Sequence, residues 1–140
     1  MGHSFTTKLP TETQLLDFYE QLGWNDFLKL TPTQLLTAMQ QSYFSIYVYS
    51  QDKLIATGRV ISDGVINAYI CGLGVLPDYR RRGIGSEILK SLANHCTRQN
   101  LHVQFFCEEH LADYYKKCGF EEFAVGMKWR GYECKQKDYS

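Results

Sequence analysis

The periodicities along this chain predict an α/β protein organised around one mixed sheet, with elements in the order ααβββαβαβ. Two observations carry that expectation. From Tyr43 to Val75 apolar residues recur at every second position through three segments separated by turn signals, which specifies an antiparallel meander. From Gly83 to Gln99 the spacing becomes helical, and a compact apolar strand, Leu101 to Cys107, follows. Strand, helix and strand from Ile66 to Cys107 therefore read as a right-handed parallel crossover within an otherwise antiparallel sheet.

Each element has its own local reason. Thr11 to Gln14 after Pro10, and Thr31 to Gln34 with Pro32 at the first helical position, are two capping boxes that open two helices. Leu15, Leu16, Phe18, Tyr19 and Leu22 form one apolar stripe, and Leu35, Leu36 and Met39 form another. Gly23 to Leu30 reads as a loop whose Trp24 and Phe27 are candidates to line a pocket. In the meander, Phe44, Ile46 and Val48 alternate with Tyr43, Ser45, Tyr47 and Tyr49; Gln51-Asp52 turns into Leu54 to Ile61, and Asp63-Gly64 into Ile66 to Val75. Pro77 stops the sheet. Leu111 to Lys117 is a short helix, and the alternation of Phe123, Val125, Met127 and Trp129 predicts a final strand.

Length and composition narrow the class. A chain of 140 residues suits a single domain over 1–140, ending in a polar tail at Gly131 to Ser140. With 44% hydrophobic and 21% charged residues it is an ordinary globular chain. Fifteen basic and fifteen acidic side chains cancel, so no global field favours nucleic acid or an anionic membrane. The five cysteines, Cys71, Cys96, Cys107, Cys118 and Cys134, are odd in number and hold no Cys-x-x-Cys pair, which argues against a disulfide framework and a zinc site. No apolar run approaches the ~20 residues that span a bilayer, and no signal-peptide pattern opens the chain. The expected location is the cytoplasm.

The chemistry concentrates in Val75-Leu76-Pro77-Asp78-Tyr79-Arg80-Arg81-Arg82-Gly83-Ile84-Gly85: a strand end, a basic glycine-containing turn and a helix start in succession. The first N–H groups of a helix have no intrahelical partner and sit at the positive end of its dipole, and glycine lets a phosphate approach them. Three arginines add charge. Gly83-Ile84-Gly85 is neither a Walker loop nor a dinucleotide fingerprint, because neither Gly-Lys-Ser/Thr nor a third glycine follows.

Arg80-x-x-Gly83-x-Gly85 resembles the Arg/Gln-x-x-Gly-x-Gly/Ala acetyl-CoA signature of the GNAT superfamily of N-acetyltransferases. Tyr114-Tyr115-Lys116-Lys117-Cys118-Gly119-Phe120 is similar to that family's aromatic-Tyr-x-x-x-Gly-Phe segment, in the right order and spacing. The resemblance is specific in its motifs from Asn67 to Trp129. It implies a GNAT-like fold: a central, mostly antiparallel sheet with helices on both faces, in which two parallel strands, near Leu73 to Val75 and Val103 to Cys107, splay apart to admit the pantetheine arm of acetyl-CoA. It also implies that Leu73, Gly74 and Val75 bond the pantetheine amides, and that Arg80, Arg81, Arg82, Gly83, Ile84, Gly85 and Ser86 hold the pyrophosphate. Tyr115 becomes the general acid for the leaving thiolate, since a phenol with pKa about 10 is protonated at neutral pH.

Two departures stand out. Many members carry a glutamate on the strand before the signature, whereas Asn67 to Val75 has no carboxylate, and the asparagine often found seven positions before the tyrosine is Glu108. The base is left open among Glu108, Glu109 and His110, with Asp63 and Tyr69 acting through water. Trp24, Phe27 and Tyr69 are candidates for the acceptor lining. Cys71 and Cys107 read as small apolar fillers, and no metal is expected. The expected activity is transfer of an acetyl group from acetyl-CoA to a primary amine of a small molecule or peptide. The alternative is a non-catalytic acyl-CoA-binding module. Self-association into a homodimer is left open.

Overall fold

Both capping boxes form. In each, the threonine hydroxyl accepts the N–H of the glutamine three residues on at 3.1 Å, and that glutamine's carbonyl oxygen accepts the threonine N–H at 2.9 Å. They open α1 (Glu12–Gln21) and α3 (Pro32–Gln40). The computed structural model describes residues 2–131, so Cys134 and all of the expected tail beyond Gly131 lie outside the described residues. Between α1 and α3, where the sequence suggested a loop, Trp24–Leu28 forms one short helical turn, α2, bounded by Gly23 and Lys29, both left-handed.

The meander appears as β2 (Phe44–Ser50), β3 (Lys53–Ser62) and β4 (Asn67–Val75). A three-residue strand, β1 (Ser4–Thr6), adds to the free edge of β2; its alternation is too short to be read from sequence. The helix of the crossover is α4 (Ile84–Arg98), and it leads to β5 (His102–Gln104). The five strands lie in the order β1-β2-β3-β4-β5, antiparallel except for the β4–β5 pair. This is the mixed sheet with one parallel pair that the sequence predicts.

Glycines show which helix covers which face. A Cβ at Gly58 would lie 2.5 Å from Ile88 of α4, so Gly58 faces α4, where Ile84, Ile88, Leu89, Leu92 and Cys96 form the buried stripe. Thr57, on the opposite face, is in register with Gly74, and a Cβ at Gly74 would meet the Trp24 indole at 2.6 Å and Leu22 at 2.9 Å. The α1–α2 corner therefore covers the other face, with Leu15 and Phe18 fully enclosed.

Two strands differ from expectation. The strand expected over Leu101 to Cys107 pairs only at Asn67–Tyr69 with His102–Gln104, after which β4 and the following chain part. Just beyond that point β4 is bulged: Arg59 pairs with Cys71 but Thr57 with Gly74, so β4 carries an extra residue around Gly72, whose φ is +61°. Bulges bend and twist a strand away from its neighbour. The second difference is the expected strand over Phe123 to Trp129, which does not form. Alternation makes a strand only where a face is buried. Here Phe123, Val125, Met127 and Trp129 are 60–85% exposed.

Candidate active site

The turn after β4 is a one-turn 3-10 helix, Pro77–Tyr79, followed by Arg80 to Gly83 and the start of α4. Unlike α1 and α3, α4 begins on a glycine, Gly83, at φ +81°, and no side chain caps it. Its first intrahelical bond runs from the Glu87 N–H to the Gly83 carbonyl at 3.0 Å. The N–H groups of Ile84, Gly85 and Ser86 thus present the positive end of a fifteen-residue helix with no capping side chain. Nothing lies within 4 Å of a Cβ built on Gly83, so this glycine is demanded by its backbone angle and leaves open space above the turn.

The arginines divide the work. Arg80 turns back, its Nε donating to the Val75 carbonyl at 2.9 Å, which ties the turn to the end of β4. Arg82 donates to the Asp78 carbonyl at 3.0 Å and lies over the Tyr79 ring at 5.2 Å. Arg81, at φ +65°, is exposed and makes no side-chain hydrogen bond or ion pair among the described residues. Two of the three basic side chains therefore build the turn, and Arg81 takes no part in holding it.

Tyr115 sits on α5 (Ala112–Lys117), and the motif around it has a local explanation. Gly119, at φ +100°, ends the helix: its N–H bonds the Lys116 carbonyl and the Phe120 N–H bonds that of Tyr115, both at 3.1 Å. This is a Schellman termination, which needs glycine at that position. Phe120 and Tyr115 then pack edge-on against Phe105, with ring centroids 4.9 and 4.7 Å away. Tyr115 is thereby fixed beside the chain that leaves β5. Across from it, Ser86 in the first turn of α4 lies 4.0 Å from Cys118, so the basic turn and the tyrosine helix meet. Burial, with Cys107, Tyr114 and Cys118 close by, pushes the Tyr115 phenol above its ordinary value and keeps it protonated.

The other candidates separate. Asp63 is committed to its turn: its Oδ1 accepts the N–H groups of Val65, Ile66 and Asn67 at 2.8–3.2 Å, and these bonds hold its carboxyl below the usual range. The His110 Nδ1 lies 3.6 Å from the Glu108 Oε1, with the two side chains 72% and 41% exposed. Trp24 lies against Gly74 at the end of β4, Tyr69 contacts Phe106 at 5.3 Å, and Phe27 is half exposed. Burial pushes the Cys71 and Cys107 thiols up, which leaves them poor nucleophiles. Among the described residues no group of three or more His, Cys, Asp or Glu could hold a metal, and no helix is long and apolar enough to cross a membrane.

One residue escaped the sequence reading. Arg59, in the middle of β3, is in register with Cys71 and passes over Gly72, where a Cβ would stand 3.2 Å from its Nε. The available signal was an arginine inside the otherwise apolar run Leu54 to Ile61.

A family model for the acetyltransferase (GNAT) family matches residues 10–120. The chain belongs to the GNAT acetyltransferase family. Relatives include GCN5-related N-acetyltransferase 2, chloroplastic, of Arabidopsis thaliana, 29% identical over 79 residues, 56% of this chain and 31% of the relative. The chain spans between 31% and 51% of the length of the curated relatives it matches. Among solved structures, a probable acetyltransferase from Staphylococcus aureus superposes with a TM-score of 0.77 at 22% identity, covering 92% of this chain and 99% of that one. Glucosamine-6-phosphate N-acetyltransferase from Arabidopsis thaliana superposes at 0.76 with 16% identity, covering 94% and 100%. At these identities the likeness is one of fold, and it bears out the GNAT arrangement of the sheet and its helices.

Proposed function

We propose that the protein transfers an acetyl group from acetyl-CoA to the primary amine of a small molecule or peptide. The observation that carries this reading is the uncapped, glycine-started α4 beside a strand whose second half has no partner on the β5 side. The residues suit the cosubstrate. The N–H groups of Ile84 to Ser86 and the Arg81 guanidinium are donors for a pyrophosphate, and the unpaired edge of β4 from Leu73 to Val75 offers backbone groups for amides. The Val75 carbonyl already accepts from Arg80, which leaves Leu73 and Gly74 as the freer contacts. Bound acetyl-CoA supplies an activated thioester.

The chain's own part in the reaction is positional and protonic. The pyrophosphate turn lies on the α4 side of the sheet, so the amine enters from the opposite face, along Trp24 and the α1–α2 corner. Tyr115, held by Phe105 and kept protonated, gives its hydroxyl proton to the departing sulfur. No carboxylate lies on β4 and Asp63 is engaged with its turn, so the ammonium proton leaves to solvent or through water. The absence of a β4 carboxylate also supports the second reading, an acyl-CoA-binding module without turnover. Incubation with acetyl-CoA and a panel of amines, polyamines, aminoglycosides and peptides, following free thiol, separates the two. Thiol release that depends on an amine supports transfer, whereas CoA binding with a silent panel supports the module. The expected compartment remains the cytoplasm, which fractionation of tagged protein checks.

A further inference from the structure

Arg59 places a guanidinium inside the sheet without a matching anion. Among the described residues its enclosed Nε has no hydrogen-bond partner, and the side chain's one hydrogen bond is a 3.3 Å contact from Nη1 to the neutral Ser42 hydroxyl at the end of α3. The acid–base contacts of the described residues lie elsewhere, at Glu108 with His110 and at Lys116 with Asp113 and Glu122. The Tyr47 hydroxyl, two residues along β2 from Arg59's register partner Ser45, is enclosed on the same face, with Ser45 and Arg59 as its polar neighbours. Among the described residues the Arg59 guanidinium is thus unmatched by any negative charge. A partly buried cation left so is costly unless something negative completes it.

The position says what completes it. Cross-strand register puts Ser45, Arg59 and Cys71 in one row and Tyr47, Thr57 and Gly74 in the next, on the face that Trp24 covers and opposite α4. The Thr57 hydroxyl donates to the Gly72 carbonyl at 3.1 Å, and the Arg59 stem crosses that same glycine. The guanidinium therefore lies one strand from the unpaired edge of β4, on the side from which the amine enters. The residue remains partly exposed while its Nε is closed, so part of the side chain is still within a ligand's reach.

We propose that Arg59 binds an anionic group of the acceptor, so that the acceptors are amines carrying a carboxylate or a phosphate. This inference rests on the transferase reading for the identity of the ligand as acceptor. Arginine suits the task because its fork matches the two oxygens of a carboxylate or phosphate.

The test uses matched amines: α-amino acids against their decarboxylated counterparts, and phosphoethanolamine against ethanolamine, with the wild type, Arg59→Gln and Arg59→Lys. Initial rates are read by thiol release, and binding to the CoA-loaded protein by calorimetry. The anionic member of a pair should have the lower KM by about ten- to a hundredfold, the scale of hydrogen bonds to a charged group. Arg59→Gln should erase that preference, raising the KM of the anionic member by about tenfold or more relative to that of the neutral one, while Arg59→Lys keeps part of it. The carboxylate and phosphate arms show which anion the site takes. Equal preference within every pair, or an equal loss for both members in a folded Arg59→Gln, would overturn the proposal while transfer itself stands. If no amine turns over, the transferase reading fails separately, and calorimetry still decides: Arg59-dependent binding of the anionic amines supports the site, and its absence overturns it.

Discussion

Replacing Tyr115 by phenylalanine removes one oxygen and little else. The ring remains edge-on to Phe105 at 4.7 Å, and the Tyr115 hydroxyl makes no hydrogen bond to another described residue, so the change orphans no partner and the melting temperature should stay close to that of the wild type. Turnover should not. A positioned general acid contributes about 10² to 10⁴ in rate, or roughly 2.7 to 5.4 kcal/mol of barrier at 1.36 kcal/mol per tenfold. The assay is single-turnover thiol release, where chemistry and not product release limits, together with calorimetric CoA affinity, which should be near unchanged. Tyr114→Phe is the control: its side chain is 48% exposed and has no assigned proton, and its loss of hydroxyl should cost little. Full single-turnover activity in Tyr115→Phe would remove the acid from the mechanism. Equal losses in both variants would trace the effect to damage of α5.

Three further outcomes follow from the same geometry. Gly83→Ala meets no neighbouring atom but forces alanine to φ +81°, so it should cost about 1 to 2 kcal/mol in stability, by denaturant titration, and should weaken CoA binding; a folded variant with unchanged CoA affinity would move the pyrophosphate site. Because Asp63 is spent on its turn and the raised Tyr115 phenol keeps its proton, activity should climb with pH toward the amine's own pKa, near about 10, with no falling limb before it. A plateau at about pH 6 to 7 across amines of different basicity would instead name an enzyme base, with His110 and Glu108 the first to substitute. Burial pushes the Tyr47 phenol up, with Ser45 and Arg59 opposing, so the folded state holds this proton longer than the unfolded chain does. That stability is present below the ordinary phenol pKa and lost as pH rises through the folded value. Tyr47→Phe should therefore soften the alkaline fall in melting temperature above about pH 10, and an unchanged alkaline limb would exclude Tyr47 as its source.

What could be read from sequence was what is decided within a few residues. Thr11 with Gln14 and Thr31 with Gln34 satisfy backbone groups locally, so spacing alone announced them, whereas the resemblance marked Gly119 and the structure showed that Gly83 and Gly119 are left-handed. The strands from Phe44 to Val75 were legible because both faces are packed, one by α4 and the other by the α1–α2 corner. The alternation from Phe123 to Trp129 looks the same in sequence but no described element buries it, and it forms no strand. The site divides likewise. Motifs marked the turn and Tyr115, but that Arg80 and Arg82 bond backbone carbonyls while Arg81 stays free depends on how the turn closes. Arg59 was hidden because a lone charge in a strand reads as solvent-facing until the register shows which row it shares.

The bulge around Gly72 joins these points into one arrangement. The extra residue on β4 bends the strand between Cys71 and Gly74, just beyond Tyr69, where the ladder with β5 has ended. The same residue lacks a side chain where the Arg59 stem crosses, and its left-handed φ favours glycine there. A carboxylate-bearing residue at this position would meet both obstacles, and it would also supply the anion that Arg59 lacks. In this chain the stretch of β4 that runs on without β5 is thus also the stretch that the unmatched Arg59 crosses, and on the proposed reading one local irregularity would serve both the cosubstrate and the acceptor.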